Sequence, residues 1–119
     1  MNDEKDLRGR TKMFARRVIR LYVALPKNDD VAKILGKQAL RSGTSVGANY
    51  REAYRARSKP EFISKIGDCL KEAEETLYWF ELLTEENIVP VRRLGSLMNE
   101  CDQLLAILTT ISKRSKGLE

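Results

Sequence analysis

The run Ser42-Gly43-Thr44-Ser45-Val46-Gly47-Ala48-Asn49-Tyr50-Arg51-Glu52-Ala53 is built mainly from small residues, yet it lies in a segment with helical apolar spacing. A helix against an ordinary core carries large apolar side chains at its i, i+3 and i+4 positions. Small side chains there let a neighbouring backbone come close, or they mark a break. Gly43 and Gly47 each disfavour a helix by roughly 1 kcal/mol relative to alanine. Two readings therefore stay open. Either one helix packs tightly through this stretch, or it breaks near Gly43-Thr44-Ser45 and Thr44 or Ser45 caps a second segment.

The rest of the chain reads as helices. Leu7, Thr11, Phe14, Val18, Leu21 and Leu25 recur at steps of four and three, one stripe of a first helix over about 4–25. Pro26 closes it, because the residue before a proline is pushed out of helical geometry. Asp29 or Asp30 can cap a second helix over about 30–57, with Ile34, Leu35, Ala39, Ser42, Val46, Asn49, Ala53 and Ala56 inward. Ser58 with Glu61 three residues on forms a capping-box start, and Pro60 fits the first turn of a third helix over about 59–87. Its stripe is Phe62, Ile66, Cys69, Ala73, Thr76, Phe80 and Leu83. Pro90 opens a fourth helix over about 90–115 with Leu94, Leu97, Cys101, Leu104, Leu108 and Ile111 inside. No segment alternates at the strand period. Short connections imply antiparallel neighbours, so the expected fold is all-α, a single-domain up-down-up-down four-helix bundle spanning 1–119.

A chain of 119 residues buries roughly two-thirds of its unfolded surface, enough for a core without staples. No apolar run approaches the ~18 residues of a membrane span. The charged start Met1-Asn2-Asp3-Glu4-Lys5-Asp6 leads to no signal-peptide core, so a cytoplasmic protein without membrane attachment is expected. Cys69 and Cys101 fall on apolar stripes and read as reduced core thiols, with a disulfide between packed helices as the lesser alternative. Charge is unevenly placed. Residues 1–59 carry 15 Lys and Arg against 6 Asp and Glu, a net of +9. Residues 60–119 carry 7 against 11, a net of −4. A basic half can bind anionic nucleic acid or dock on an acidic face of the same or a neighbouring chain.

Catalytic chemistry has little to build on. With 0 His, nucleophile–histidine pairs and histidine metal sites are excluded. Gly43 and Gly47 follow a helix, whereas a phosphate-binding glycine loop follows a strand. Glu72 and Glu75 are a carboxylate pair, but the Glu-x-x-His element of di-metal bundles is missing. No catalytic, cofactor or metal residue is assigned, and no enzyme activity is expected.

Particular segments carry a resemblance: Leu25-Pro26-Lys27, Leu35-Gly36-Lys37-Gln38, the Ser42–Ala53 run, Arg55-Ala56-Arg57-Ser58, Glu61-Phe62-Ile63 and Glu74 to Leu83. In these, about residues 25–83, the chain resembles the bacterial four-helix-bundle family of 23S rRNA intervening-sequence proteins. The resemblance implies a four-helix bundle and a homopentamer with bundles side by side around an axis. More distantly, that family is similar to the accessory variability determinant of diversity-generating retroelements, also a pentamer, which binds reverse transcriptase and nucleic acid through a basic surface. No motif in this chain carries the retroelement role.

Two sets of surface residues stand out. Arg8, Lys12, Arg16 and Arg20 follow at i, i+4 on the first helix with Arg17 beside them, and Lys33, Lys37 and Arg41 do so on the second. They read either as solvated outer faces or, multiplied in a ring, as a surface for RNA or DNA backbone. Glu72, Glu75 and Trp79 flank the third helix. They read either as a solvated acidic face with a half-buried Trp79 or as a subunit contact, with Arg51 or Arg55 as ionic partners in the same or the adjacent subunit. The expected function is a non-enzymatic homo-oligomeric scaffold for nucleic acid or a nucleic-acid-processing partner. The alternative is a purely protein-binding assembly.

Overall fold

The computed structural model describes residues 3–117, so Met1 and Asn2 of the charged start lie outside the described residues. Four helices follow in order: α1 (Asp3–Ala24), α2 (Asp30–Tyr54), α3 (Lys59–Glu85) and α4 (Val91–Lys116). Consecutive helices pack as antiparallel neighbours, and α1 closes the ring against α4 by a looser seam. The rod measures 46 × 22 × 22 Å.

Local chemistry sets the helix ends. The Asp29 carboxylate accepts from the Ala32 amide at 3.0 Å and caps α2. The Ser58 hydroxyl caps α3 by accepting from the Glu61 amide at 3.2 Å. The return arm of this cap differs from the expected box: the Glu61 carboxylate accepts from Arg57, one residue before the cap, at 2.6 Å. That contact needs residues 55–58 out of helical geometry, so α2 ends at Tyr54 instead of continuing to Arg57. At the end of α3, Asn87 takes the left-handed conformation at φ 58°. The Ile88 amide then donates to the Leu83 carbonyl at 3.0 Å and the Asn87 amide to Thr84 at 3.1 Å, a Schellman closure. α3 thus stops at Glu85, and Pro90 is the cap of α4 rather than its first residue.

α2 is one unbroken helix. The Thr44 hydroxyl donates to the Leu40 carbonyl at 2.8 Å and that of Ser45 to Arg41 at 2.7 Å. Both bond back into the preceding turn, so neither is available to cap a new segment. The buried positions of α2 are Ala32, Gly36, Ala39, Ser42, Gly43, Val46, Gly47, Tyr50 and Ala53. This stripe is small from its start, which corrects the expected one. Ile34 is 62% exposed, and Leu35 and Asn49 are half-buried. α1 supplies the missing bulk. A Cβ on Gly43 would lie 2.9 Å from the Val18 side chain, and one on Gly47 would lie 3.2 Å from the backbone oxygen of Thr11. Absent side chains on α2 are therefore what let α1 approach.

The core stripes of α3 and α4 stand as expected. Ile66, Cys69, Ala73, Thr76, Phe80 and Leu83 are buried on α3, with Phe62 only half-buried, and Leu94, Leu97, Cys101, Leu104, Leu108 and Ile111 are buried on α4. Phe14 and Phe80 meet edge to face across the bundle, centroids 6.2 Å apart. Two buried polar links key neighbouring helices: Ser42 to Thr76 at 2.7 Å between α2 and α3, and the Cys101 thiol to the Ala73 carbonyl at 3.3 Å between α4 and α3.

Both cysteines are free and buried, so the disulfide alternative is not realised. Desolvation pushes each thiol from its usual 9.0 up to about 12. A neutral buried thiol favours the folded state, and its contribution is complete below the unfolded value. That contribution is then lost as pH rises from about 9 toward about 12, at roughly 1.4 kcal/mol per pH unit per thiol. At pH 8 a thiol reagent is expected to leave both cysteines of the native protein unlabelled and to react with both in denaturant. Rapid native labelling would show that the α3–α4 seam opens.

Candidate functional site

The cationic row on α1 does not act as one line. Each i to i+4 step turns a helical row by about 40°, so Arg8 and Arg20 point in directions about 120° apart. Arg8 and Lys12 face α2, where they line a groove of about 270 Å³ with Thr44, Gly47 and Arg51. Arg17 and Arg20 face α4, beside Arg93, in a second cavity of about 320 Å³. Arg17 donates to the Ser96 hydroxyl at 3.0 Å and is committed to that seam. The α1–α4 seam is also tied by Arg10, bonded to Glu100 at 2.8 Å and to Gln103 at 3.0 Å. Arg16 is exposed on the outer face.

The α2 row is also divided. Lys33 lines a cavity of about 360 Å³ with Tyr22, Val23 and Pro26 at the turn between α1 and α2. Lys37 is exposed. Arg41 reaches α3, where it bonds Glu72 at 3.3 Å and Glu75 as well. The Glu75 hydrogen bond leads the interactions that raise the Arg41 pKa above its usual value. Within the chain, Arg41 therefore holds the carboxylates for which Arg51 and Arg55 were the expected partners. Arg51 lies ten residues further along α2, about 15 Å at 1.5 Å per residue.

At that far end of α2 the structure gathers Arg51, Arg55 and Arg57 around a cavity of about 400 Å³. The acidic side chains in its wall are already engaged. Glu52 pairs with Lys65 at 2.5 Å, and Glu61 accepts from the Arg57 amide. The Glu52 hydrogen bond is the main cause of the raised Lys65 pKa. The Glu52 side chain is half-exposed. Arg51 lines this cavity and the α1–α2 groove alike, so the two are neighbours. Arg51, Arg55, Arg57 and Lys12 have no ion-pair partner among the described residues.

Tyr54 was not singled out from the sequence. It is 58% exposed, and the Arg8 guanidinium lies 4.5 Å from its ring centroid. Tyr50, one turn earlier, is buried, so the tyrosine pair straddles the edge of the core. Their four-residue spacing, with Arg51 and Arg55 interleaved, is the signal that was present.

On the opposite flank Trp79 is half-buried against the core, its ring 5.1 Å from Tyr78, which is 53% exposed. The enclosed Trp79 Nε1 has no acceptor. Among the described residues no group of His, Cys, Asp and Glu is arranged to hold a metal ion, and no helix is long and apolar enough to cross a membrane.

The fold and this surface define a small antiparallel four-helix bundle with a cationic end and salt-bridged flanks. The chain belongs to the 23S rRNA-intervening sequence protein family, whose model matches residues 5–110. It is similar in structure to a protein of unknown function from the S23 ribosomal protein family of Bacteroides thetaiotaomicron VPI-5482. The TM-score is 0.87 at 38% identity, over 94% of this chain and 99% of the other. Comparison with curated proteins yields no match.

Proposed function

We propose that this protein is a non-enzymatic homo-oligomeric scaffold, pentameric as the family resemblance implies, that binds nucleic acid or a nucleic-acid-processing partner. One observation carries this reading. The cations of Arg8, Lys12, Arg16, Arg51, Arg55 and Arg57 are exposed and without an ion pair among the described residues, while carboxylates of the acidic half engage Arg10 and Arg41 and Glu52 engages Lys65. A cytoplasmic setting fits the absence of any described helix suited to spanning a membrane. The family name points to RNA as the first ligand to try. Thiols pushed up to about 12 are poor nucleophiles at neutral pH, and Glu72 and Glu75 are held by Arg41, so neither group favours catalysis.

The test is fluorescence anisotropy with labelled RNA and DNA at low and near-physiological salt, with oligomer mass followed in the same buffers. Binding that weakens steeply with salt while the mass holds is the expected result, because phosphate contacts release counterions. No binding at either salt, with salt dissociating the oligomer instead, refutes the nucleic-acid reading. It would favour the protein-binding assembly.

Trp79 with exposed Tyr78 is the proposed centre of the subunit contact, since large aromatics dominate association energetics. Trp79→Ala is expected to lower the solution mass more than it lowers the monomer's melting temperature. An unchanged mass with a reduced melting temperature would assign Trp79 to the core alone.

A further inference from the structure

We propose that the groove between the start of α1 and the end of α2 is a binding site for single-stranded RNA, with Arg8, Lys12, Arg51 and Arg55 on the phosphates and Tyr54 stacking a base. The inference rests on the nucleic-acid reading above and adds the seat, the strandedness and the residues.

Three independent observations meet at this groove. The first is shape. A recess of about 270 Å³ between α1 and α2 is lined by Arg8, Lys12, Ala48 and Arg51, and Arg51 also lines the neighbouring cavity of about 400 Å³. A chain lying across Arg51 would span both recesses. The second is charge. Arg8, Lys12 and Arg51 line one recess and Arg51 and Arg55 the next, and the nearby carboxylates of Glu52 and Glu61 are already bonded to Lys65 and the Arg57 amide. Neutralising phosphate oxygens here displaces no ion pair of these arginines. The Thr44 hydroxyl donates to the Leu40 carbonyl and that of Thr11 to the Leu7 carbonyl, so neither offers its proton to the groove.

The third observation separates a single strand from a duplex. Tyr54 is exposed, and Arg8 of the groove lies 4.5 Å over its ring, so an aromatic face and a guanidinium stand together beside the groove. Single-strand sites combine a cationic track with such aromatic and arginine faces, because every unstacked base offers a π-face. A duplex keeps its bases stacked on one another and would meet only the charges. The outer cations Arg16 and Lys37 have no aromatic partner among the described residues, and Arg20 faces the α4 side.

The experiment measures binding of a fluorescein-labelled 12-nucleotide single-stranded RNA and of the 12-base-pair duplex of the same sequence. The proteins are the wild type, Tyr54→Ala, Arg51→Ala and the double variant Arg16→Ala/Arg20→Ala, each first checked for unchanged helicity and oligomer mass. Wild type is expected to prefer the single strand. Tyr54→Ala is expected to weaken single-strand binding about tenfold with the salt slope unchanged, since stacking is lost and no charge is removed. Arg51→Ala is expected to weaken binding and to flatten the slope of log K against log salt by about 0.7, one phosphate contact on a single strand. The outer double variant should retain the single-strand preference. Equal affinity for both RNAs, or Tyr54→Ala and Arg51→Ala binding as wild type while the outer variant fails, would overturn the groove and leave the nucleic-acid reading standing. No binding of either RNA by the wild type would overturn both.

Discussion

Phe80→Ala is expected to remove about 3–5 kcal/mol of folding free energy, measured by urea unfolding at fixed protein concentration. Phe80 is fully buried on α3, and its ring meets that of fully buried Phe14 on α1 at an interplanar angle of 63°. This contact spans the diagonal of the bundle, where among the described residues the α1 and α3 backbones make no close approach. Side chains alone must fill that space, and a helix backbone cannot move inward at one position to close the void. Against a typical total of about 5–15 kcal/mol, the loss leaves the domain at the edge of unfolding. A Phe14→Ala/Phe80→Ala cycle should show a coupling of about 0.5–1.5 kcal/mol from the edge-to-face pair. A loss below about 1 kcal/mol for Phe80→Ala would mean that the core collapses around the gap, contrary to the usual behaviour of buried aromatics.

Gly43→Leu is the second large effect, expected to destabilise by about 3 kcal/mol. A helix propensity gain of about 1 kcal/mol acts in its favour, so the packing conflict must exceed that gain. A Cβ at Gly43 would come 2.9 and 3.0 Å from the two methyls of Val18. Val18 is buried with no exposure, and a β-branched side chain on a helix has essentially one χ1 state, so it cannot swing aside. The remaining response is to push α1 and α2 apart. Val18→Ala in the same chain should recover part of the loss, a coupling that melting curves of the four proteins would reveal. Gly67→Ala is the control. Nothing lies within 4 Å of a Cβ there, so this exposed α3 position should gain about 0.5–1 kcal/mol. If Gly43→Leu were as stable as wild type, the close approach of α1 would not depend on the missing side chain.

Much of this was readable in advance, for identifiable reasons. The stripes of α1, α3 and α4 carry large apolar residues at helical spacing, and burial followed them from Leu7 to Ile111 with only Leu21 and Phe62 half-exposed. Ser58 announced its cap, and the α2 cap was narrowed to Asp29 or Asp30, because capping is a contact between near neighbours in sequence. α2 misled because its core face is made of Ala32, Gly36, Ala39 and Gly43. Ranking residues by bulk selected Ile34, which lies two residues and about 200° of rotation away from Ala32 and Gly36 and faces outward. The surface was less legible. A row of cations spaced by four looks uniform along a sequence, yet the helix turns it from α2 at Arg8 to α4 at Arg20.

The sequence by itself determined the number of helices, the family, and the charge imbalance between halves, because each rests on periodicity, motif or composition. Only the tertiary structure decided which charges are already paired. Arg41 lies opposite Glu72 and Glu75 across the α2–α3 seam and is held there. Arg51 lies about three turns further along the same helix, beside Arg8 and Lys12 of α1, where the carboxylates in reach are held by other groups. Ion pairing depends on distances of a few ångströms between residues on different helices, 31 and 34 apart in sequence for the two Arg41 pairs, and helix packing sets those distances.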